Sequence, residues 1–182
     1  MAQGIIEALR RDHDEVREMF GQVEAATGEE RRDLFQQLMS ELVRHEVAEE
    51  EILRPVSKRA AGEEIASARI REESQAEQLL KEMEQLDPGS AEFTSKLATL
   101  RQEVESHASA EEAEEFPKVA EKESPERLEQ LGRVYEAAKK AAPTRPHPST
   151  PNTPVANMLV GPFAAVMDKA RDAVREAKKS HS

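Results

Sequence analysis

A histidine and a glutamate four residues apart occur twice in this chain, each time inside an apolar helical stripe and each time followed by a proline at the same distance. The strings are His45-Glu-Val-Ala-Glu-Glu-Glu-Ile-Leu-Arg-Pro55 and His107-Ala-Ser-Ala-Glu-Glu-Ala-Glu-Glu-Phe-Pro117. His45 and His107, Glu49 and Glu111, and Pro55 and Pro117 are each 62 positions apart. A single string of this kind means little, because glutamate-rich helices produce it by chance. Two at one register describe a duplicated helical hairpin, and two hairpins related by a pseudo-two-fold axis make a four-helix bundle.

The stripes themselves say what the bundle must hold. Ile6, Leu9, His13, Val16, Phe20 and Val23 step by three and four. So do Phe35, Leu38, Leu42, His45, Glu49 and Ile52, and again Phe93, Leu97, Leu100, Val104, His107 and Glu111. Such spacing lines one helix face toward a core. Five ionisable residues thus stand where leucine is expected, and burying them bare costs on the order of several kcal/mol each. The remaining stretch carries Glu73, Ala76, Leu80 and Met83, which repeats the spacing of His13, Val16, Phe20 and Val23. Glu73 falls 60 positions after His13, with Glu72 and Gln75 as alternatives beside it. Counted from the two tight turns at about 1.5 Å per residue, all these groups reach a similar depth in an antiparallel bundle.

Six candidate ligands therefore converge on one layer: His13, His45, Glu49, Glu73, His107 and Glu111. A histidine and a glutamate four apart project from one helix face, so each pair can grip one ion, with carboxylates bridging a second. Imidazole and carboxylate without thiolate suit iron or manganese, with zinc behind them. Two ions set about 3.5–4 Å apart can hold both oxygens of a small substrate. Glu46, Glu50, Glu51, Glu112, Glu114 and Glu115 surround the layer and read first as a solvated acidic face, with support of the ligands or an iron entry path as the alternative. Tyr135 is assigned packing alone, and His147 and His181 read as exposed.

The expected fold is all-α, an antiparallel up-down four-helix bundle. Its helical stretches run over roughly 5–25, 30–58 with Pro55 ending or bending the last turns, 63–86, and 91–121 after Ser90 as N-cap. Ser124-Pro125 opens a fifth helix to about residue 142, with an N-cap before proline at the first helical position. Residues 1–142 form the bundle domain. Five prolines in residues 143–154 make a stiff linker, and 155–178 read as a C-terminal amphipathic helix, suited to a homodimer contact, a protein partner or covering the bundle.

Composition narrows the function. The net charge of −11 argues against a nucleic-acid partner. No apolar run approaches the roughly 20 residues a membrane span needs. The absence of cysteine removes thiolate sites, and the N-terminus carries no signal-peptide pattern, so a cytoplasmic location is expected.

The two His-x-x-x-Glu-Glu strings with their prolines, opened by Asp12-His13, resemble the hemerythrin-like family of HHE cation-binding domains over about residues 5–121. The resemblance implies a non-haem, oxo- or hydroxo-bridged pair of iron ions in a helical bundle, with His13, His45, Glu49, His107 and Glu111 at family ligand positions. It also implies a small oxidant as ligand: dioxygen, nitric oxide or peroxide. A catalytic site and a non-catalytic iron-binding or iron-sensing module signalling to a partner are the alternatives. Two positions depart from the family pattern. Glu73 stands where histidine is usual, and Arg54, before Pro55, stands where an aromatic residue is common, while Phe116 keeps it in the second copy. A third anionic oxygen donor favours the ferric state over reversible oxygen carriage.

Overall fold

The computed structural model describes residues 4–142, all helices and turns. The expected linker and last helix over 143–182 lie outside the described residues.

Four long helices form the ring: α1 (Ile5–Ala25), α2 (Gly28–Ile52), α4 (Glu63–Glu84) and α5 (Ala91–Ala110). α1 packs along α2 and α4 along α5, as two hairpins, and the ring closes through α1 with α5 and α2 with α4. This is the expected up-down bundle. Short turns enforce it. Gly28 takes a φ of 59° where the chain reverses out of α1, and Gly62 a φ of 101° before α4, backbone that a side chain resists. Ser90 caps α5 by accepting a hydrogen bond from the Phe93 N–H at 3.0 Å. No helix among the described residues is long and apolar enough to cross a membrane.

Two helical stretches are interrupted beside their prolines: the second at Pro55, as expected, and the fourth, read as one helix to about residue 121, ahead of Pro117. α2 stops at Ile52, and the chain restarts as α3 (Arg54–Ala60) with Pro55 in its first turn, because proline has no N–H to donate four residues back. After α5 the backbone widens into a π-turn over Glu111–Glu115, in which the Phe116 N–H reaches the Glu111 carbonyl. α6 (Phe116–Lys122) follows, with Pro117 in its first turn. α7 (Pro125–Ala141), capped by Ser124, lies across α1 and α2.

The apolar interior falls into two halves. One, at the end of the hairpin turns, gathers Phe20, Phe35, Leu38, Leu80, Met83, Phe93 and Leu97. The other gathers Ile5, Leu9, Ile52, Leu53, Phe116, Val119, Leu131 and Tyr135 under α7. The layer that contains His13, His45 and Glu111 comes between them along each helix.

Candidate metal centre

Helix periodicity delivers the six expected residues to that layer from five elements. His13 is on α1, His45 and Glu49 on α2, Glu73 on α4, His107 on α5, and Glu111 at the start of the π-turn. A π-turn shifts the register of everything after it, a common device at functional positions; here it follows directly on Glu111. His13, His45, Glu49 and Glu111 are buried; the side chains of His107 and Glu73 are 12% and 10% exposed. Gln75, one alternative to Glu73, is exposed.

Each imidazole is aimed by its outer nitrogen. His13 Nδ1 donates to Glu112 Oε1 at 2.8 Å, and His107 Nδ1 donates to Glu72 Oε2 at 2.9 Å. His45 Nδ1 lies 2.8 Å from the Tyr135 hydroxyl, which itself donates to Asp12 Oδ2 at 2.7 Å. Lys139 Nζ closes that chain 2.8 Å from the same oxygen and also pairs with Glu41. With the outer nitrogen engaged, the ring is held in one orientation with Nε2 turned inward. Partners of this kind fix the tautomer and geometry of metal-binding histidines.

Inside, the Nε2 atoms face carboxylates. His13 Nε2 is 3.4 Å from Glu111 Oε2, and His107 Nε2 is 3.3 Å from Glu111 Oε1. His45 Nε2 is 3.3 Å from Glu49 Oε2. Glu111 thus offers one oxygen to each hairpin. Ligand atoms of His13, His45 and Glu111 lie within 4.8 Å of one another, and so do those of Glu49, Glu73, His107 and Glu111. These are two donor groups sharing one carboxylate.

Arg54 enters the second group. Its Nη2 is 2.7 Å from Glu73 Oε1 and 2.7 Å from Glu111 Oε1, and 3.1 Å from Glu49 Oε1. Its Nη1 meets both oxygens of Glu115 at 2.8 and 3.0 Å. Burial works against the Arg54 charge, but Glu49, Glu73, Glu111 and Glu115 outweigh it and hold the guanidinium protonated. Burial likewise pushes the Glu73 carboxyl well up, against the pull of Arg54. Glu111 goes the other way: despite its burial, His107, His13 and Arg54 hold it well below the usual carboxylate range.

Three sequence expectations are corrected here. Tyr135 does more than pack: it holds His45 and Asp12. Glu115 is fully buried on Arg54 and Glu112 is half-buried on His13, so they are not part of a solvated face. Glu72 binds the outer nitrogen of His107 rather than replacing Glu73. The one available signal was Asp12, a carboxylate next to His13 and so turned about 100° away on the helix, toward α7.

A metal fits the donors present. Four buried atoms of the layer lack any hydrogen-bond partner: His13 Nε2, His107 Nε2, Glu49 Oε2 and Glu111 Oε2. Buried polar atoms are rarely left so, and these face one another around nitrogen and oxygen donors only. Beside them is a cavity of about 30 Å³ lined by His13, His45, Glu46, Glu73, Ala76 and His107 among others. Its size admits a water or a diatomic molecule and little more. A further acidic group, Asp12 with Glu15 and Glu41, is already neutralised by Lys139.

Comparison with known proteins agrees with this geometry. The family profile described as Hemerythrin HHE cation binding domain matches residues 4–119. An uncharacterized hemerythrin-like protein of Schizosaccharomyces pombe is 29% identical over 172 residues, covering 92% of this chain and 85% of that protein. A DNA nickase of Nostoc is 28% identical over 136 residues, covering 74% of this chain but only 39% of the nickase. The crystal structure of a hemerythrin HHE cation binding domain-containing protein from Mycobacterium kansasii superposes with a TM-score of 0.69 at 20% identity, covering 92% of this chain and 99% of that one.

Proposed function

The chain belongs to the hemerythrin HHE cation-binding family, and on that premise we propose that it is a cytoplasmic non-haem di-iron protein that binds or reacts with a small oxidant: peroxide, nitric oxide or dioxygen. The observation that carries this reading is the set of buried, unpartnered nitrogen and oxygen atoms facing one another in a single layer. His13, His45 and Glu111 would hold one ion and Glu49, Glu73, His107 and Glu111 the other, with Glu111 common to both groups. Bound there, the pair would supply the redox and Lewis-acid chemistry that such an oxidant requires.

The chain's own part is positional. Glu112, Glu72 and Tyr135 hold the three imidazoles with Nε2 inward, so these rings need little reorientation on loading. The apolar halves above and below keep bulk water out. The cavity of about 30 Å³ beside the layer has room for a small ligand such as a water or a diatomic molecule. Glu46 lines that cavity, and in the metal-free chain burial pushes its carboxyl up to about 8.

The test is anaerobic ferrous loading of the full chain, oxidation, and then metal analysis. About two irons per chain and a near-ultraviolet absorption band are expected, followed by consumption of hydrogen peroxide over many turnovers. Less than half an equivalent of iron would sink the reading. Iron held without peroxide consumption would turn the function from turnover to binding or sensing.

A further inference from the structure

The two hairpins differ at two registers that meet in space. In one half His13 stacks on Phe116, with ring centroids 5.9 Å apart and 14° between planes. The same registers in the other half are Glu73, 60 positions after His13, and Arg54, 62 before Phe116. These two form an ion pair, Arg54 Nη2 to Glu73 Oε1 at 2.7 Å. An imidazole on a phenyl ring has been exchanged for a carboxylate on a guanidinium. Exchanging Arg54 alone would strip the guanidinium from Glu73 and from the buried Glu115, a costly loss in an interior. The two departures are one paired exchange.

Its consequence lies in where Nη2 ends up. That single nitrogen sits among Glu49, Glu73 and Glu111, the three carboxylates that form a donor group with His107. The other group, His13, His45 and Glu111, is not entered by Arg54, and Glu111 turns its Oε2 to it, 3.4 Å from His13 Nε2. Glu115 belongs to neither group and grips Nη1.

We propose that Arg54 is an internal cation competing for the Glu49–Glu73–His107–Glu111 position, so that the two halves of the centre fill unequally. The His13–His45–Glu111 position loads first. The other loads only when Nη2 leaves its three carboxylates, with Glu115 retaining the guanidinium. A half-loaded chain is then stable over a range of metal concentration. This inference rests on the di-metal reading above.

The experiment is a calorimetric and visible-absorption titration of the full, chelator-stripped chain with Co²⁺ under anaerobic conditions. The parent should bind in two steps separated by about tenfold or more in affinity. Arg54→Phe combined with Glu73→His gives the second half the pattern of the first and removes both charges of that pair, while Glu115 loses its guanidinium partner. It should fold and bring the two steps together. Arg54→Met should melt earlier without metal and tighten the second step, while Glu115→Gln, which removes the guanidinium's retreat, should weaken it. Two equal steps in the parent, or a separation the double variant leaves unchanged, overturns the role of Arg54 and leaves the metal centre standing. If neither parent nor double variant binds cobalt, both readings fall.

Discussion

Replacing Tyr135 with phenylalanine removes one oxygen from a fully buried position and keeps the ring in its apolar surroundings of Leu131, Ala138 and Leu9. That oxygen accepts from His45 Nδ1 at 2.8 Å and donates to Asp12 Oδ2 at 2.7 Å. Asp12 keeps Lys139 at 2.8 Å and Arg11 at 2.9 Å, so its charge stays matched. His45 does not fare as well. The remaining Asp12 Oδ2 is 3.8 Å from its Nδ1, outside hydrogen-bond reach. Two lost hydrogen bonds, one of which strands a buried donor, cost together about 3 kcal/mol. For a domain of this size that lowers the melting temperature by roughly 8 °C. The imidazole also loses the contact that orients it, so metal affinity should fall about 10- to 100-fold. Circular dichroism melts of the metal-free chain and metal titration read the two effects separately. A Tyr135→Phe protein that melts within about one degree of the parent and binds metal equally well would refute the assignment of Tyr135 as the support of His45.

Other perturbations follow from the same geometry. Alanine at His45 or His107 should abolish binding of at least one ion while helical ellipticity stays near the parent's, because the apolar halves remain; full occupancy in both variants would remove these residues from the centre. Glu112→Gln should weaken metal binding about tenfold through His13, and equal affinity would show that Glu112 does not orient that ring. Burial alone would lower the His45 pKa, but Asp12 and Glu49 raise it to about 10 from the ordinary 6.5. A raised folded value contributes stability that is complete below pH 6.5 and is lost as pH climbs toward 10. The metal-free melting temperature should therefore fall across that window, while the gain in melting temperature on metal binding grows, because metal takes the deprotonated ring. A gain that is flat with pH over this range would contradict the protonated state assigned to His45.

The seam residues were legible in the sequence because a helix repeats every 3.6 residues whatever surrounds it. His13, His45, Glu49, His107 and Glu111 interrupt apolar stripes at matching depths, and only a bundle that brings the stripes together can bury them. The 62-residue repeat added the hairpin pairing. What periodicity fixes is the face a side chain occupies. It does not fix which atom points inward or what approaches from a distant segment. The contact of Tyr135 with His45 spans 90 residues and that with Asp12 spans 123; both exist because α7 crosses α1 and α2, which no local pattern specifies. The π-turn at Glu111 came from proline chemistry and packing together, where the sequence alone read a continuous helix. Arg54 stood out in the sequence as a misplaced residue and Glu73 as a missing histidine. Only the folded chain makes them one feature, because two positions 19 residues apart on different helices become neighbours when the second hairpin closes on the first.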